Sequence, residues 1–180
     1  MNAGAGRASG DVLWFLHADS SLLPDAAVEI QRALSDPRII GGCFRLRFPR
    51  RAWIYRVSDS LGNLGVEVFG FALGDHGIFC RRTSFEEAGG YPEAPIFEDA
   101  ELYRRLSRIG RMRQLSPAIV TSPRLYETLG PYRTTAIYFF ILAAYVCGVP
   151  IRSLHRIHRA FRRRQSSPAE TTKLASTPIA

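Results

Sequence analysis

Three short clusters in this 180-residue chain hold side chains that could act together: His17-Ala18-Asp19, Gly74-Asp75-His76-Gly77 and Glu98-Asp99. Asp19 stands just past the continuous apolar run Val12-Leu13-Trp14-Phe15-Leu16, a pattern of buried-strand type. In open α/β sheets ligands bind outside the carboxyl ends of strands, so a carboxylate there is placed to hold a divalent cation together with diphosphate oxygens. The alternative is a turn or helix-cap acid ahead of Pro24. Glu98 and Asp99 open a helical segment. They serve either as a general base aimed into a pocket or as ordinary acids favoured by the helix dipole. Asp75 and His76, flanked by glycines, either line a substrate site or form a polar turn.

The elements that must position these residues follow from periodicity. The spacing predicts a helix opened by Pro24-Asp25 and running to about Leu34, and a half-buried strand from Ile39 to Phe48. Gly41-Gly42 inside that strand marks a bulge or a close backbone approach. Helical spacing recurs over 51–64, followed by a Gly-interrupted loop or short helix over 66–73. Gly77–Cys80 is a short buried strand, and Thr83 with Glu86 has the form of a capping box. A helix follows over 96–109 and ends at Gly110, then one or two short strands over 111–122 and a long helix from Pro131 to about Val146. Residues 151–164 form a basic amphipathic helix with Ile151, Leu154, Ile157 and Phe161 on one side, and 165–180 has the composition of a disordered tail. Alternating strands and helices predict an α/β domain with a mainly parallel sheet.

Hydrophobic residues make up 46% and charged residues 22%. That balance excludes a disordered chain, and the length excludes a disulfide-stapled miniprotein. The three cysteines, Cys43, Cys80 and Cys147, form no CxxC pair and are expected to be buried thiols in a reducing compartment. Met1–Gly10 lacks the apolar stretch of a secretory signal, so a cytoplasmic location is expected. The net charge of +8 is uneven: residues 151–180 hold six Arg and one Lys against one Glu. Basic character confined to one end makes nucleic acid an unlikely partner for the body and points to a local basic patch. Residues 136–149 carry no charge. At about 1.5 Å per residue they span roughly 21 Å, short of the roughly 30 Å hydrocarbon core of a bilayer.

Taken together, the clusters resemble family 2 glycosyltransferases. The likeness rests on Gly10 to Ser20 with Leu23-Pro24, on Gly77-Ile78-Phe79-Cys80-Arg81-Arg82 followed by Phe85 and Gly89-Gly90-Tyr91, and on Glu98-Asp99-Ala100-Glu101-Leu102. The bacterial subgroup labelled "transferase 2, radical-SAM/selenodomain-associated" is the most similar, with its His-Ala-Asp motif and a segment matched here by Ser122-Pro123-Arg124. The resemblance covers about residues 2–160. It implies a GT-A-like fold and sugar transfer from a nucleotide-sugar, usually with inversion. Asp19 would ligate Mn²⁺ or Mg²⁺ at the donor diphosphate beside His17, which replaces the first acid of the DxD motif. Asp99 would be the catalytic base with Glu98 beside it, Asp75 and His76 would line the acceptor pocket, and Arg124 and Arg133 would meet donor phosphate. The family places a βαβα unit before the segment matched by Asn2-Ala3-Gly4, so the resemblance implies a chain lacking that unit. Residues 1–130 would then be a partial catalytic domain and 131–164 helices packed on or beside it.

Two other readings stand beside this one. Residues 136–164, an apolar helix followed by a basic one, fit a peripheral module on an anionic membrane surface, at the inner face of the cell membrane. That is compatible with a lipid-linked acceptor. The other is an inactive remnant of a transferase.

Overall fold

The computed structural model describes residues 1–21 and 24–163. Four strands form a single mixed sheet in the order β1-β3-β2-β4: β1 (Val12–Trp14), β2 (Ile39–Arg47), β3 (Phe79–Arg81) and β4 (Arg111–Val120). Eight helices flank it among the described residues, α1 (Asn2–Arg7), α2 (Ala26–Leu34), α3 (Trp53–Phe69), α4 (Arg82–Glu87), α5 (Glu98–Ile109), α6 (Arg124–Leu129), α7 (Pro131–Val146) and α8 (Ile151–Arg163). The class is α/β. The sheet departs from the mainly parallel expectation: β1, β2 and β4 share a direction, but β3 runs against both its neighbours, so only the β2–β4 ladder is parallel. The cause is the chain path. Asp59 and Asn63 of α3 bond backbone at Phe48 and Leu46, so α3 descends beside β2. Residues 70–78 climb back to the carboxyl edge, leaving β3 to descend in its turn.

Alternation along the strands divides the core between two layers. Phe44 and Phe79 face α2, where they pack with Ile30, Leu34 and Ile119. Leu13 and Cys80 face the other side and pack with Ala5, Phe85, Leu102 and Leu106 of α1, α4 and α5. Gly41 and Gly42 are demanded by close approach: a Cβ on Gly42 would stand 2.0 Å from the Arg113 carbonyl oxygen, and one on Gly41 2.5 Å from that of Phe79. A second register shift leaves Ser116 and Pro117 unpaired in β4, so one long bulged edge strand stands where one or two short ones were expected, and the bulge tolerates its proline.

Adjacent arginines at the junction of β3 and α4 cap two helices. Arg81 donates to the Leu34 carbonyl at the end of α2 and to the Ile39 carbonyl at the start of β2. Arg82 donates to those of Ala5, Ala8 and Gly10, closing the carboxyl end of α1. The expected capping box at Thr83 does not form. α4 starts two residues earlier, with extended Arg81 as its N-cap, and the Arg82 amide is satisfied by the Asp11 carbonyl at 2.8 Å. α3 continues to Phe69 through the segment expected to be a loop or short helix, and stops at Gly70 in the left-handed conformation.

α7 and α8 pack on the domain. Ser58 of α3 and Thr135 of α7 share a buried hydrogen bond of 2.9 Å, and Leu154 of α8 is fully buried. The apolar stripe of α8 is divided: Leu154 is used in packing, Ile151 is half-buried and Ile157 is exposed, while Phe161 and the 165–180 tail lie outside the described side chains. Among the described residues no helix is long and apolar enough to cross a membrane. Cys43 and Cys80 are buried and their thiols are pushed up to about 12 by burial, whereas Cys147 is exposed, contrary to expectation, because it follows the last turn of α7 on its outer side.

Candidate active site

β1, β2 and β4 end on the same edge, and a cavity of about 520 Å³ lies there. His17 and Asp19 enter it from the segment after β1, Leu46 and Phe48 from the end of β2, and Thr121 and Ser122 from the end of β4. Gly74 and Asp75 arrive on a 3₁₀ turn (Gly74–His76), and Glu98 and Asp99 on the first turn of α5. α3 and α7 form an apolar wall with Leu61, Phe139 and Leu142.

The tightest point is Gly74. A Cβ there would lie 2.2 Å from His17 Nε2 and 2.5 Å from Asp99 Oδ2, so imidazole and carboxylate converge over the face of the glycine where a side chain would stand. Asp99 is 9% exposed, and its Oδ1 has no hydrogen-bond partner in the protein. Burial raises its pKa, with the negative charges of Glu98 and Asp75 adding to the rise; the Tyr91 hydroxyl and His17 oppose it. A carboxyl shifted in this direction suits proton transfer near neutral pH. Asp75 Oδ1 is likewise buried without a protein partner. Two inward carboxylate oxygens left unpaired make a polar floor that a hydroxyl-bearing ligand would satisfy.

Backbone strain sits beside the pair. Phe97, the residue before Glu98, has φ of 61°, the one positive value at a non-glycine residue among those described. Such a conformation costs about 1–3 kcal/mol and needs outside support. Support comes from Tyr145 of α7, stacked on the Phe97 ring at 4.8 Å, and from the Phe97 carbonyl, which accepts the Glu101 amide. α7 thereby helps fix the start of α5.

Of the eight expected site residues, His17, Asp19, Asp75, Glu98 and Asp99 line the cavity. His76 does not. It is 1% exposed, with Nδ1 3.0 Å from the Phe44 carbonyl, and ties the 3₁₀ turn to β2 as a core residue. Arg124 and Arg133 are exposed and outside the lining, although each is within two residues of a lining side chain, Leu125 and Thr135. Residues not anticipated are Thr121, Thr135, Tyr138 and His158. The last comes from α8, where a histidine in a basic helix gives no sign of facing a cavity.

For a metal ion, no group of three His, Cys, Asp or Glu side chains is placed to bind one among the described residues. An all-protein cage is thus not what the residues offer. Exposed Asp19 at the cavity rim instead fits the open type of site, in which one or two carboxylates share Mg²⁺ or Mn²⁺ with substrate phosphates. No protein-family model matches the chain, and no curated protein matches it.

Proposed function

We propose that the chain transfers a sugar from a nucleotide-sugar donor to an acceptor hydroxyl with the help of a divalent cation. The observation that carries this reading is the convergence of Asp19, Asp75, Glu98 and Asp99 on one cavity at the carboxyl edge of the sheet. The family resemblance of these same segments adds to it.

In this reading Asp19, at the rim, is the side chain that would hold Mn²⁺ or Mg²⁺. The ion would supply charge neutralisation on the departing nucleoside diphosphate. Asp99 accepts the proton of the acceptor hydroxyl while that oxygen attacks the anomeric carbon. The bond from that carbon to the diphosphate oxygen breaks on the opposite face, which inverts the centre. Burial that raises the Asp99 pKa strengthens it as a base once it is ionised. His17, which meets Asp99 over the same face of Gly74, stabilises the ionised carboxylate. Asp75 and Glu98 are placed to accept hydrogen bonds from other acceptor hydroxyls. The apolar wall from α3 and α7 keeps water from competing as acceptor.

The test is calorimetry of Mn²⁺-dependent binding of nucleoside diphosphates to the parent and to Asp19→Asn. Asp19 is exposed, so the variant should melt at the parent's temperature and lose the metal-dependent part of binding. Equal affinity in the two proteins would remove Asp19 from the metal site.

A further inference from the structure

We infer that the outer face shared by α3 and α7 seats on an anionic lipid bilayer. The starting point is a departure from the usual surface pattern, in which the solvent side of a helix is polar. On α3 the solvent side carries Arg56, Ser60 and Glu67, and beside them an apolar stripe of Trp53, Leu64 and Val68, exposed by 61%, 48% and 62%. On α7 it holds Tyr132, Phe139 and Phe140, exposed by 59%, 53% and 60%.

The two stripes are neighbours. Trp53 and Tyr132 meet with ring centroids 5.6 Å apart, Ser58 bonds Thr135, and Phe71, just beyond α3, meets Tyr145 at 5.8 Å. The helices therefore run side by side in the same direction over the length of α7. Sixteen residues at about 1.5 Å each make that roughly 24 Å. Clustered large apolar side chains on this scale mark an interaction surface rather than scattered exposure.

Charge decides the occupant. The segment 131–163 contains six arginines and no acidic residue. Arg152, Arg156 and Arg159 are exposed on α8, which folds back on α7 with His158 beside Tyr138. An apolar face with a cationic helix alongside matches an interface of acyl chains beneath anionic headgroups. Trp53 and Tyr132 are of the type that settles at headgroup depth. Phe139 also lines the active-site cavity, so a docked chain would present that cavity beside the bilayer. The inference does not depend on the transferase reading.

The experiment is flotation of the full chain with vesicles of phosphatidylcholine alone and of phosphatidylcholine with one-third phosphatidylglycerol. Two variants accompany it, Val68→Ser with Phe140→Ser, and Arg152→Gln with Arg156→Gln and Arg159→Gln. None of these side chains lines the cavity or is buried, so circular dichroism should report a native fold. The parent should float with anionic vesicles and release at high salt. The arginine variant should partition about 100-fold more weakly, and the serine variant should lose binding to anionic vesicles at every salt concentration. Recovery of the parent in the lipid-free fraction with both vesicle types would overturn the inference. So would a parent dimer that the serine variant abolishes without any vesicle binding, because the face would then belong to a second copy.

Discussion

Gly74→Ala is the smallest change that reaches the centre of the site. The backbone at Gly74 is not in the left-handed region, so alanine fits the chain conformation. The obstacle is the methyl group, which would lie 2.2 Å from His17 Nε2 and 2.5 Å from Asp99 Oδ2. Ordinary carbon contacts are about 3.5–4.0 Å, so the two groups must part by roughly 1 Å or more. His17 is exposed and can swing away; Asp99 is fixed on the first turn of α5 and is 9% exposed. Displacements of about 1 Å in a catalytic pair cost about 100-fold in rate. Overpacking of this kind costs about 1–3 kcal/mol of stability. Transferase turnover at saturating donor and Mn²⁺ should therefore fall about 100-fold, with a cooperative melt retained. Gly4→Ala is the matched control. No atom lies within 4 Å of its new methyl, and alanine gains about 1 kcal/mol over glycine inside a helix, so turnover should be unchanged and stability slightly higher. Parent-level turnover in Gly74→Ala would refute the argument that His17 and Asp99 must converge there.

Further expectations concern stability. Burial raises the Asp59 carboxyl from 3.8 to about 6 against the Phe48 amide hydrogen bond and Arg47. The fold thus prefers the protonated form, and stability falls as pH rises between those two values. Asp59→Asn keeps an acceptor for the Phe48 amide and removes the charge, so its melting temperature relative to the parent should rise across that interval; a constant difference would show that burial does not set the shift. Arg82→Gln removes the guanidinium from three carbonyls at the end of α1. A loss of about 1–3 kcal/mol is expected in denaturant unfolding, with earlier proteolysis near residues 1–10, and an unchanged midpoint would discount the cap. Phe97→Gly relieves a strained φ but removes the ring stacked on Tyr145. Turnover should drop more than stability, and the reverse ordering would remove Phe97 as the residue that positions Asp99.

Much of the cavity edge was legible because strand ends and helix starts leave local marks. The apolar run before His17, and the helix opening at Glu98, placed His17, Asp19 and Asp99 at the correct ends of their elements. His76 was misread because a Gly-flanked polar pair does not encode which member turns inward; its partner, the Phe44 carbonyl, is 32 residues away. The direction of β3 was hidden for a similar reason, since a strand of three residues looks the same run either way. α1 was passed over because its glycines lower helix propensity, and what holds it is tertiary: Ala5 in the core, Asn2 paired with the Tyr91 backbone at 2.9 Å, and the Arg82 cap. α8 was read as amphipathic, but periodicity cannot say which of its apolar residues meet the domain: Leu154 is buried and Ile157 is exposed. The apolar outer stripe of α3 escaped notice because Trp53, Ile54, Val57 and Leu61 all recur at helical spacing, which does not show that Ile54 is buried while Trp53 and Val57 are exposed.

The central claim is that Asp99 takes the acceptor's proton in a metal-assisted sugar transfer. Its most direct test is nucleoside diphosphate release from a panel of nucleotide-sugars, with Mn²⁺ or with chelator, for the parent and Asp99→Asn. The account predicts cation-dependent release by the parent, rising with pH through the raised Asp99 pKa. It also predicts a fall of about 10²–10⁴-fold in Asp99→Asn, with donor binding retained. Release by Asp99→Asn within a few-fold of the parent, or no donor bound by the parent at any cation concentration, would contradict it.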